Sequence, residues 1–148
     1  MTVDQLFEDA VEILRKLIAI PSFSREEREA ADLMEDYLLR IGFKPERRNN
    51  NNWVCSATLD PAKPTILLNS HIDTVRPTSG WLSDPFTPVL DGDKLTGLGS
   101  NDAGASLVSL MAAFRYLSAK PQAYNLIYAA TAEEEVSGQN KSGKRRHR

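Results

Sequence analysis

The chain has 148 residues, 41% of them hydrophobic and 26% charged, which is enough for one ordinary domain with a real core. No apolar run approaches the ~20 residues that span a membrane, and charged residues interrupt the N-terminal segment, so we expect neither a membrane span nor a signal peptide. The single cysteine, Cys55, excludes an internal disulfide, fits a reducing compartment and predicts a cytoplasmic location.

The net charge of −2 hides an uneven distribution of charge. Five of the 18 basic residues fall in 141–148 (KSGKRRHR), where no acidic residue occurs, so residues 1–140 carry 13 basic and 20 acidic residues. An acidic body argues against nucleic acid as the main partner. We therefore expect the fold to occupy 1–140, with 141–148 as a basic tail outside it.

Two amphipathic helices are predicted first, over 3–19 and from 24 to about 41, because apolar residues recur at helical spacing in both. Gly42 follows the second helix as its natural C′ residue. Each helix is preceded by a candidate capping box: Thr2 with Gln5, and Ser24 with Glu27.

After Gly42 the spacing of apolar residues becomes that of short strands separated by turns. The predicted elements are strands 43–48 and 53–59 joined across Asn49–Asn52, a strand over 65–69, a hairpin within 86–97 around Asp91-Gly92-Asp93, a helix from about 102 to 119, and a strand over 125–131. The strands over 65–69 and 125–131 are continuously apolar, which is typical of a sheet covered on both faces. Helices alternating with buried strands predict an α/β fold with a mostly parallel sheet flanked by helices.

Acidic and imidazole side chains follow the buried strands at three places. His71 and Asp73 follow the strand over 65–69, Asp102 begins the helix after a glycine-containing loop, and Glu133–Glu135 follow the strand over 125–131. Taken singly, these residues have ordinary interpretations as a loop histidine, a helix N-cap and a solvated acidic turn. Ligands of open α/β sheets collect beyond the carboxyl ends of the strands, so we expect the three groups to lie together. Carboxylates crowded there would repel one another unless a cation offset them.

The ligand types narrow the choice of cation. A neutral imidazole with carboxylates, and no cysteine pair, suits zinc, cobalt or manganese better than calcium. Residues two apart in a strand point to the same face, so Asp73 can orient the ring of His71 from behind. A carboxylate such as Asp102 can bridge two metal ions. The side chains of two adjacent glutamates diverge, so one can bind metal while its neighbour acts as a general base.

Four sequence segments together resemble a known family: IPSFS after the first helix, SHIDTV at 70–75, GWLSDPFTPVLDGDKLTGLGSND at 80–102 and TAEEEVSG at 131–138. From about residue 5 to 139 the chain resembles the dizinc family of acetylornithine deacetylase, succinyl-diaminopimelate desuccinylase, aminoacylase and glutamate carboxypeptidase. The residues over 81–86 are most similar to those of the acetylornithine deacetylase branch.

The resemblance implies a role for each candidate residue. His71 corresponds to the ligand of one zinc with Asp73 behind it, Asp102 to the carboxylate that bridges two zinc ions, Glu135 to the ligand of the other zinc, and Glu134 to the general base. The implied reaction is metal-dependent hydrolysis of the amide bond of a small N-acylated amino acid. The resemblance also implies a cis peptide bond after Asp102.

The chain departs from the family in sequence and in length. The family commonly reads Asp-x-Lys-Gly after the bridging aspartate, where this chain has 102–105 as DAGA, and Asp-Glu-Glu where it has Glu133–Glu135. The family also carries a further acidic ligand, a lid and dimerisation domain and a late histidine ligand. We therefore expect the chain to be the N-terminal part of the catalytic domain and inactive alone, and a homodimer only for the full-length protein. His147 has no predicted strand to aim it and is not expected to replace the late ligand.

Two alternatives remain open on the sequence. One is a metal-free binding or interaction module that keeps the fold, which co-purification of stoichiometric zinc would exclude. The other is a related metalloaminopeptidase, which would cleave peptides with a free amine rather than N-acetylated amino acids.

Overall fold

The computed structural model describes residues 1–136. The predicted end of the fold near residue 140, the basic tail 141–148 and His147 therefore lie outside the described residues. No helix in the part that is described has the length and apolar character needed to cross a membrane.

Three α-helices lie at or near their predicted positions: α1 Val3–Ile18, α2 Arg28–Arg40 and α3 Ser106–Ser118. The first predicted capping box is confirmed, since Thr2 Oγ1 accepts the Gln5 N–H at 3.2 Å and Gln5 Oε1 accepts the Thr2 N–H at 2.9 Å. Gly42 has φ 92° just past α2, as expected of a C′ glycine.

The second predicted capping box is wrong. α2 begins only at Arg28, and its N-cap residue Glu27 makes no side-chain cap. Ser24 Oγ instead donates to Asp73 Oδ2 at 2.7 Å, and the fully buried Glu27 side chain accepts hydrogen bonds from Asn50 and Glu133 as well as from the adjacent Arg25 N–H. Both residues are engaged by the edge of the sheet, 49 or more residues away, and so are not available to the helix.

The main sheet has four strands in the order β1-β2-β6-β3: β1 Glu46–Arg48, β2 Asn51–Cys55, β3 Thr65–His71 and β6 Asn125–Thr131. The α/β class is confirmed, but the expectation of a mostly parallel sheet is wrong for the described strands. Only β3 and β6 pair in parallel, while β2 pairs antiparallel with both β1 and β6. The chain between β3 and β6 includes α3, as a parallel crossover requires, whereas β1 and β2 form a tight hairpin. Its turn is Asn49–Asn50, so the third and fourth asparagines belong to β2.

The two apolar strands differ in burial. β6 lies in the interior of the sheet and is buried over most of its length, as predicted. β3 is an edge strand in the described residues, and Ile66 and Leu67 are 42% and 57% exposed. The prediction that both faces of β3 are covered is therefore wrong here, because its apolar composition does not determine which neighbours it has.

A predicted hairpin and a kinked segment complete the fold. β4 Val89–Asp91 and β5 Lys94–Thr96 pair antiparallel around a two-residue turn, as the sequence indicates. Ser100–Ala105 is a kinked segment, and α3 therefore begins at 106 rather than near 102. This segment brings Asp102 to the end of the sheet.

One hydrophobic core joins the three helices to the main sheet. α1 packs on α3, α3 packs on β3 and β6, and α2 contacts β2. The rings of Phe43, Phe114 and Tyr128 pack against one another in series, tilted by 52° and 39°, with centroid distances of 4.9 and 5.9 Å. This packing fixes the carboxyl ends of β3 and β6 side by side.

Candidate metal centre

Three side chains from different segments converge at the carboxyl edge of the sheet. Ligand atoms of His71, Asp102 and Glu135 all lie within 4.8 Å of one another. His71 is the last residue of β3, opposite Thr131 at the end of β6, and Glu135 lies four residues beyond that point. The predicted convergence of these three residues is therefore confirmed as geometry.

The imidazole of His71 has a fixed orientation. Its Nδ1 lies 2.9 Å from the carbonyl oxygen of Asp73 and 3.4 Å from Asp73 Oδ1, and its Nε2 lies 3.2 Å from Asp102 Oδ1. A carbonyl oxygen can only accept, so Nδ1 carries a hydrogen and Nε2 faces the acidic cluster. The side-chain hydrogen bond with Asp73 raises the pKa of His71 to about 9, although burial acts in the opposite direction.

Asp73 lies behind His71, as predicted, and its side chain is fully buried. Burial raises the pKa of this carboxyl, but hydrogen bonds from His71, Ser24 and the backbone N–H groups of Glu135 and Glu134 outweigh burial and hold the pKa well below its usual value. Oδ1 accepts the Glu134 N–H and Oδ2 the Glu135 N–H, both at 3.0 Å. Asp73 therefore links the histidine to the two glutamates.

Asp102 has a position set by tight local packing. Its φ and ψ of −112° and 100° are not helical, so it is not the N-cap of α3, and its peptide bond to Ala103 is cis, as expected. The Gly104 N–H donates to the Gly99 carbonyl at 2.9 Å. A Cβ at Gly104 would lie 2.6 Å from that oxygen and from Leu14 Cδ1, so only glycine fits there without displacement.

The three consecutive glutamates have different environments. Glu133 is 5% exposed with φ 59°, so its side chain turns away from the solvent. The Glu134 side chain is 58% exposed, and Oε2 lies 3.9 Å from His71 Nε2. Burial and the nearby charge of Asp102 raise the pKa of Glu135. The turn thus places Glu133 in the interior, while Glu134 and Glu135 both reach the candidate centre.

A cleft of about 250 Å³ opens beside this centre. Asp102 and Glu135 line it together with Thr74, Val75 and residues 97–101. Its volume lies just below the ~300–1,000 Å³ typical of ligand pockets, and two of the converging side chains line it.

The donor set fits a divalent transition metal. One imidazole nitrogen and two carboxylates are the ligand types of zinc, cobalt and manganese sites, and the hydrogen bond at Nδ1 directs Nε2 toward the ligand cluster. Crowding of Asp102, Glu134 and Glu135 around one imidazole is also an arrangement that a cation would stabilise.

Three residues that support this region are not predicted to do so from the local sequence. The local pattern predicts a helix cap for Ser24 and Glu27 and a turn position for Asn51. Each instead supports the strand-end region through a hydrogen bond to a residue 49 or more positions away. No local pattern distinguishes such side chains from caps and turn residues. Ser24 is the last residue of the IPSFS segment and Glu27 lies three residues beyond it, whereas Asn51 lies near no segment of the family resemblance.

The sheet with its packed helices, and the imidazole and two carboxylates at the carboxyl edge of that sheet, together define an α/β protein with a candidate metal centre. A family model described as Peptidase family M20/M25/M40 matches residues 67–147, more than half of the chain. The chain belongs to this family. The matched region includes all five predicted site residues, which are His71, Asp73, Asp102, Glu134 and Glu135.

Individual relatives support the same assignment. The chain is 33% identical over 141 residues to acetylornithine deacetylase of Proteus mirabilis (strain HI4320), covering 86% of this chain and 36% of the relative. It is 31% identical over 134 residues to succinyl-diaminopimelate desuccinylase of Buchnera aphidicola subsp. Baizongia pistaciae, covering 84% of this chain and 34% of the relative. The chain thus spans about a third of the length of these curated relatives.

A solved structure shares the fold. The M20-family metallo-carboxypeptidase from Sulfolobus solfataricus superposes with a TM-score of 0.69 at 21% identity, covering 85% of this chain and 31% of that chain. The likeness extends over most of the described helices and strands, and it confirms the predicted α/β class.

Proposed function

We propose that this chain contributes three ligands of the metal site of an amidohydrolase. The enzyme would cleave the amide bond of small N-acylated amino acids, as acetylornithine deacetylase does. The observation that carries the proposal is the convergence of His71, Asp102 and Glu135 within 4.8 Å, beside a second exposed carboxylate, Glu134. Sequence identity of 33% to an acetylornithine deacetylase favours this substrate class.

His71, Asp102 and Glu135, whose ligand atoms lie within 4.8 Å of one another, would hold the metal. Asp102 is the carboxylate that two ions could share. Zinc is the proposed metal, with cobalt or manganese as substitutes. When bound, the metal would polarise the amide carbonyl and lower the pKa of the attacking water. Asp73 would keep the imidazole in the tautomer that presents Nε2, because Nδ1 donates to its carbonyl.

Glu134 is the proposed general base. Its exposed carboxylate would take a proton from water as the water oxygen adds to the amide carbon. The same carboxyl would then give that proton to the amine nitrogen as the carbon–nitrogen bond breaks, which leaves a carboxylate and a free amine. The hydrogen bond from its own backbone N–H to Asp73 fixes the point from which this side chain extends.

The first test is a metal titration of the 148-residue chain with Zn²⁺ and Co²⁺, followed by hydrolysis assays on N-acetylornithine and N-succinylated diaminopimelate. Metal binding that His71→Gln abolishes is the expected result. If turnover is present, Glu134→Gln should reduce it by about 10²–10⁴-fold without comparable loss of metal. A chain that binds neither ion would refute the metal centre and favour the metal-free interaction module.

A related metalloaminopeptidase is the second candidate, because the matched family is named for its peptidases. Cleavage of dipeptides with a free amine, and not of N-acetylated amino acids, would favour it.

The described residues supply three candidate ligands, and the relatives are about three times as long. We therefore expect little or no turnover from this chain alone. The single cysteine is the basis for proposing a cytoplasmic location.

A further inference from the structure

The turn after β6 is held by an unusual set of hydrogen bonds. Four consecutive backbone N–H groups each donate to a side-chain oxygen from a distant segment. The pairs are Ala132 to Asn51 Oδ1 at 3.0 Å, Glu133 to Glu27 Oε1 at 3.2 Å, Glu134 to Asp73 Oδ1 at 3.0 Å, and Glu135 to Asp73 Oδ2 at 3.0 Å. The N–H groups of this glutamate turn, 132–135, are thus bound by side-chain oxygens and not by backbone carbonyls of a neighbouring strand.

Glu27 is the most buried of these supports, with no exposed surface. Its Oε1 accepts from the N–H groups of Arg25, at 2.6 Å, and of Glu133, while its Oε2 accepts from Asn50 Nδ2 at 2.9 Å. A carboxylate is costly to bury unless its oxygens are paired, and these three donors supply that pairing. Glu133 has φ 59°, a conformation that L-residues rarely adopt, so its backbone needs such a support.

Asn51 supports the first residue of the turn from β2. It is 7% exposed, its Oδ1 accepts the Ala132 N–H, and its Nδ2 donates to the Arg48 carbonyl at 3.3 Å. The asparagine-rich segment of the sequence therefore does more than form the β1–β2 turn. It joins that hairpin to the end of β6.

We propose that Glu27 and Asn51 are positioning residues for Glu134 and Glu135. With Asp73 they fix the turn so that the Glu134 and Glu135 side chains extend from set points toward His71 and Asp102. This inference rests on the proposed function, in which Glu134 is the base and Glu135 a metal ligand. Neither Glu27 nor Asn51 touches the metal or the substrate in this proposal.

Two substitutions of Glu27 distinguish the effect of side-chain length from the effect of charge. Glu27→Gln keeps the length of the side chain and an oxygen that can accept the Glu133 N–H, while Asn50 can turn its amide to suit the new –NH₂ group. Glu27→Asp keeps the charge but withdraws the carboxylate by one methylene from Glu133. Glu29→Ala, at an exposed glutamate in the first turn of α2, is the matched control.

The first readout is hydrogen exchange at the Glu133 amide, measured by NMR on the metal-free 148-residue chain. We expect Glu27→Asp to speed this exchange by about five- to tenfold, and Glu27→Gln and Glu29→Ala to leave it nearly unchanged. The second readout is Zn²⁺ affinity, which Glu27→Asp should weaken by about 10–100-fold and Glu27→Gln should preserve. Glutamine has nearly the size of glutamate, so it would also rescue a purely structural role in packing. Such a role would instead speed exchange of core amides, such as that of Tyr128 in β6, as much as that of Glu133, and this result would overturn the inference.

Several results would overturn the inference. These are unchanged Glu133 exchange in Glu27→Asp, faster exchange with full Zn²⁺ affinity, or a defect in Glu27→Gln as large as that in Glu27→Asp. Absence of Zn²⁺ binding by the unaltered chain would instead count against the proposed function. In that case the exchange comparison alone decides whether Glu27 holds the turn.

Discussion

His71 Nε2 lies 3.2 Å from Asp102 Oδ1 while Nδ1 of the same ring lies 2.9 Å from the Asp73 carbonyl, so an acceptor stands at each ring nitrogen. This arrangement favours the doubly protonated imidazolium in the metal-free protein. A metal ion and a proton would compete for Nε2, since the ligand form of histidine is neutral there.

The metal-free chain should therefore lose stability as the pH rises above neutrality. The pKa of His71 is raised from 6.5 to about 9, so its contribution is fully present below 6.5 and is lost as the pH rises through about 9. Asp73 has a lowered pKa, so its contribution is present above 3.8 and is lost as the pH falls below that value. Urea unfolding from pH 3 to 10 should give maximal stability between 3.8 and 6.5. The fall between 6.5 and 9 should be much smaller in His71→Gln, and an equal fall in both proteins would contradict the assignment.

Glu134 and Glu135, the two glutamates of the turn that reach the candidate centre, should differ in their effect on metal binding. Glu135→Gln removes a proposed ligand and should weaken Zn²⁺ binding by at least about 100-fold, measured by calorimetry against a chelator. Glu134→Gln should change that affinity little, because its carboxylate is assigned to the proton. Equal losses in the two variants would show that the two roles are wrongly divided.

Gly104→Ala should destabilise the chain and disturb Asp102. The added methyl group would lie 2.6 Å from the Gly99 carbonyl oxygen and from Leu14 Cδ1, and such overpacking typically costs ~1–3 kcal/mol. Gly80→Ala is the control, because the nearest atom to its new Cβ is 3.9 Å away and the effect on the unfolded chain is the same. The stability of the two variants is compared by thermal and urea unfolding, and their metal affinity by Zn²⁺ titration. Similar stability of the two variants would mean that the kinked segment yields easily.

The open edge of β3 should promote self-association of this chain. Ile66 and Leu67 are exposed on a strand whose second edge has no partner among the described strands. Leu67→Lys should reduce concentration-dependent association in sedimentation experiments. Leu82→Lys, which alters a fully exposed leucine outside any strand, should not. If the two variants associate alike, the edge of β3 is not the cause.

The sequence predicted well those features that local spacing controls. His71 ends β3 and Asp73 lies two residues beyond it, and the two side chains lie together as the pleat of an extended chain predicts. It predicted poorly what depends on distant neighbours. The exposure of Ile66 depends on which strand lies beside β3, and one partner of Glu27 is a backbone amide 106 residues away. In both cases the local pattern fitted an alternative equally well, namely a covered strand and a helix cap.

The parallel register of β3 and β6, in which His71 stands opposite Thr131, limits how this protein can change by insertion or deletion. One residue gained or lost within either strand would turn every later side chain to the opposite face, and His71 and Glu135 would no longer meet. A change of two residues would restore the face but displace the pair by about 7 Å along the strands, farther than a shared ion can span. Length variation should therefore be tolerated in the 56–64 and 76–88 loops, but not between residue 65 and His71 or between 125 and Glu135.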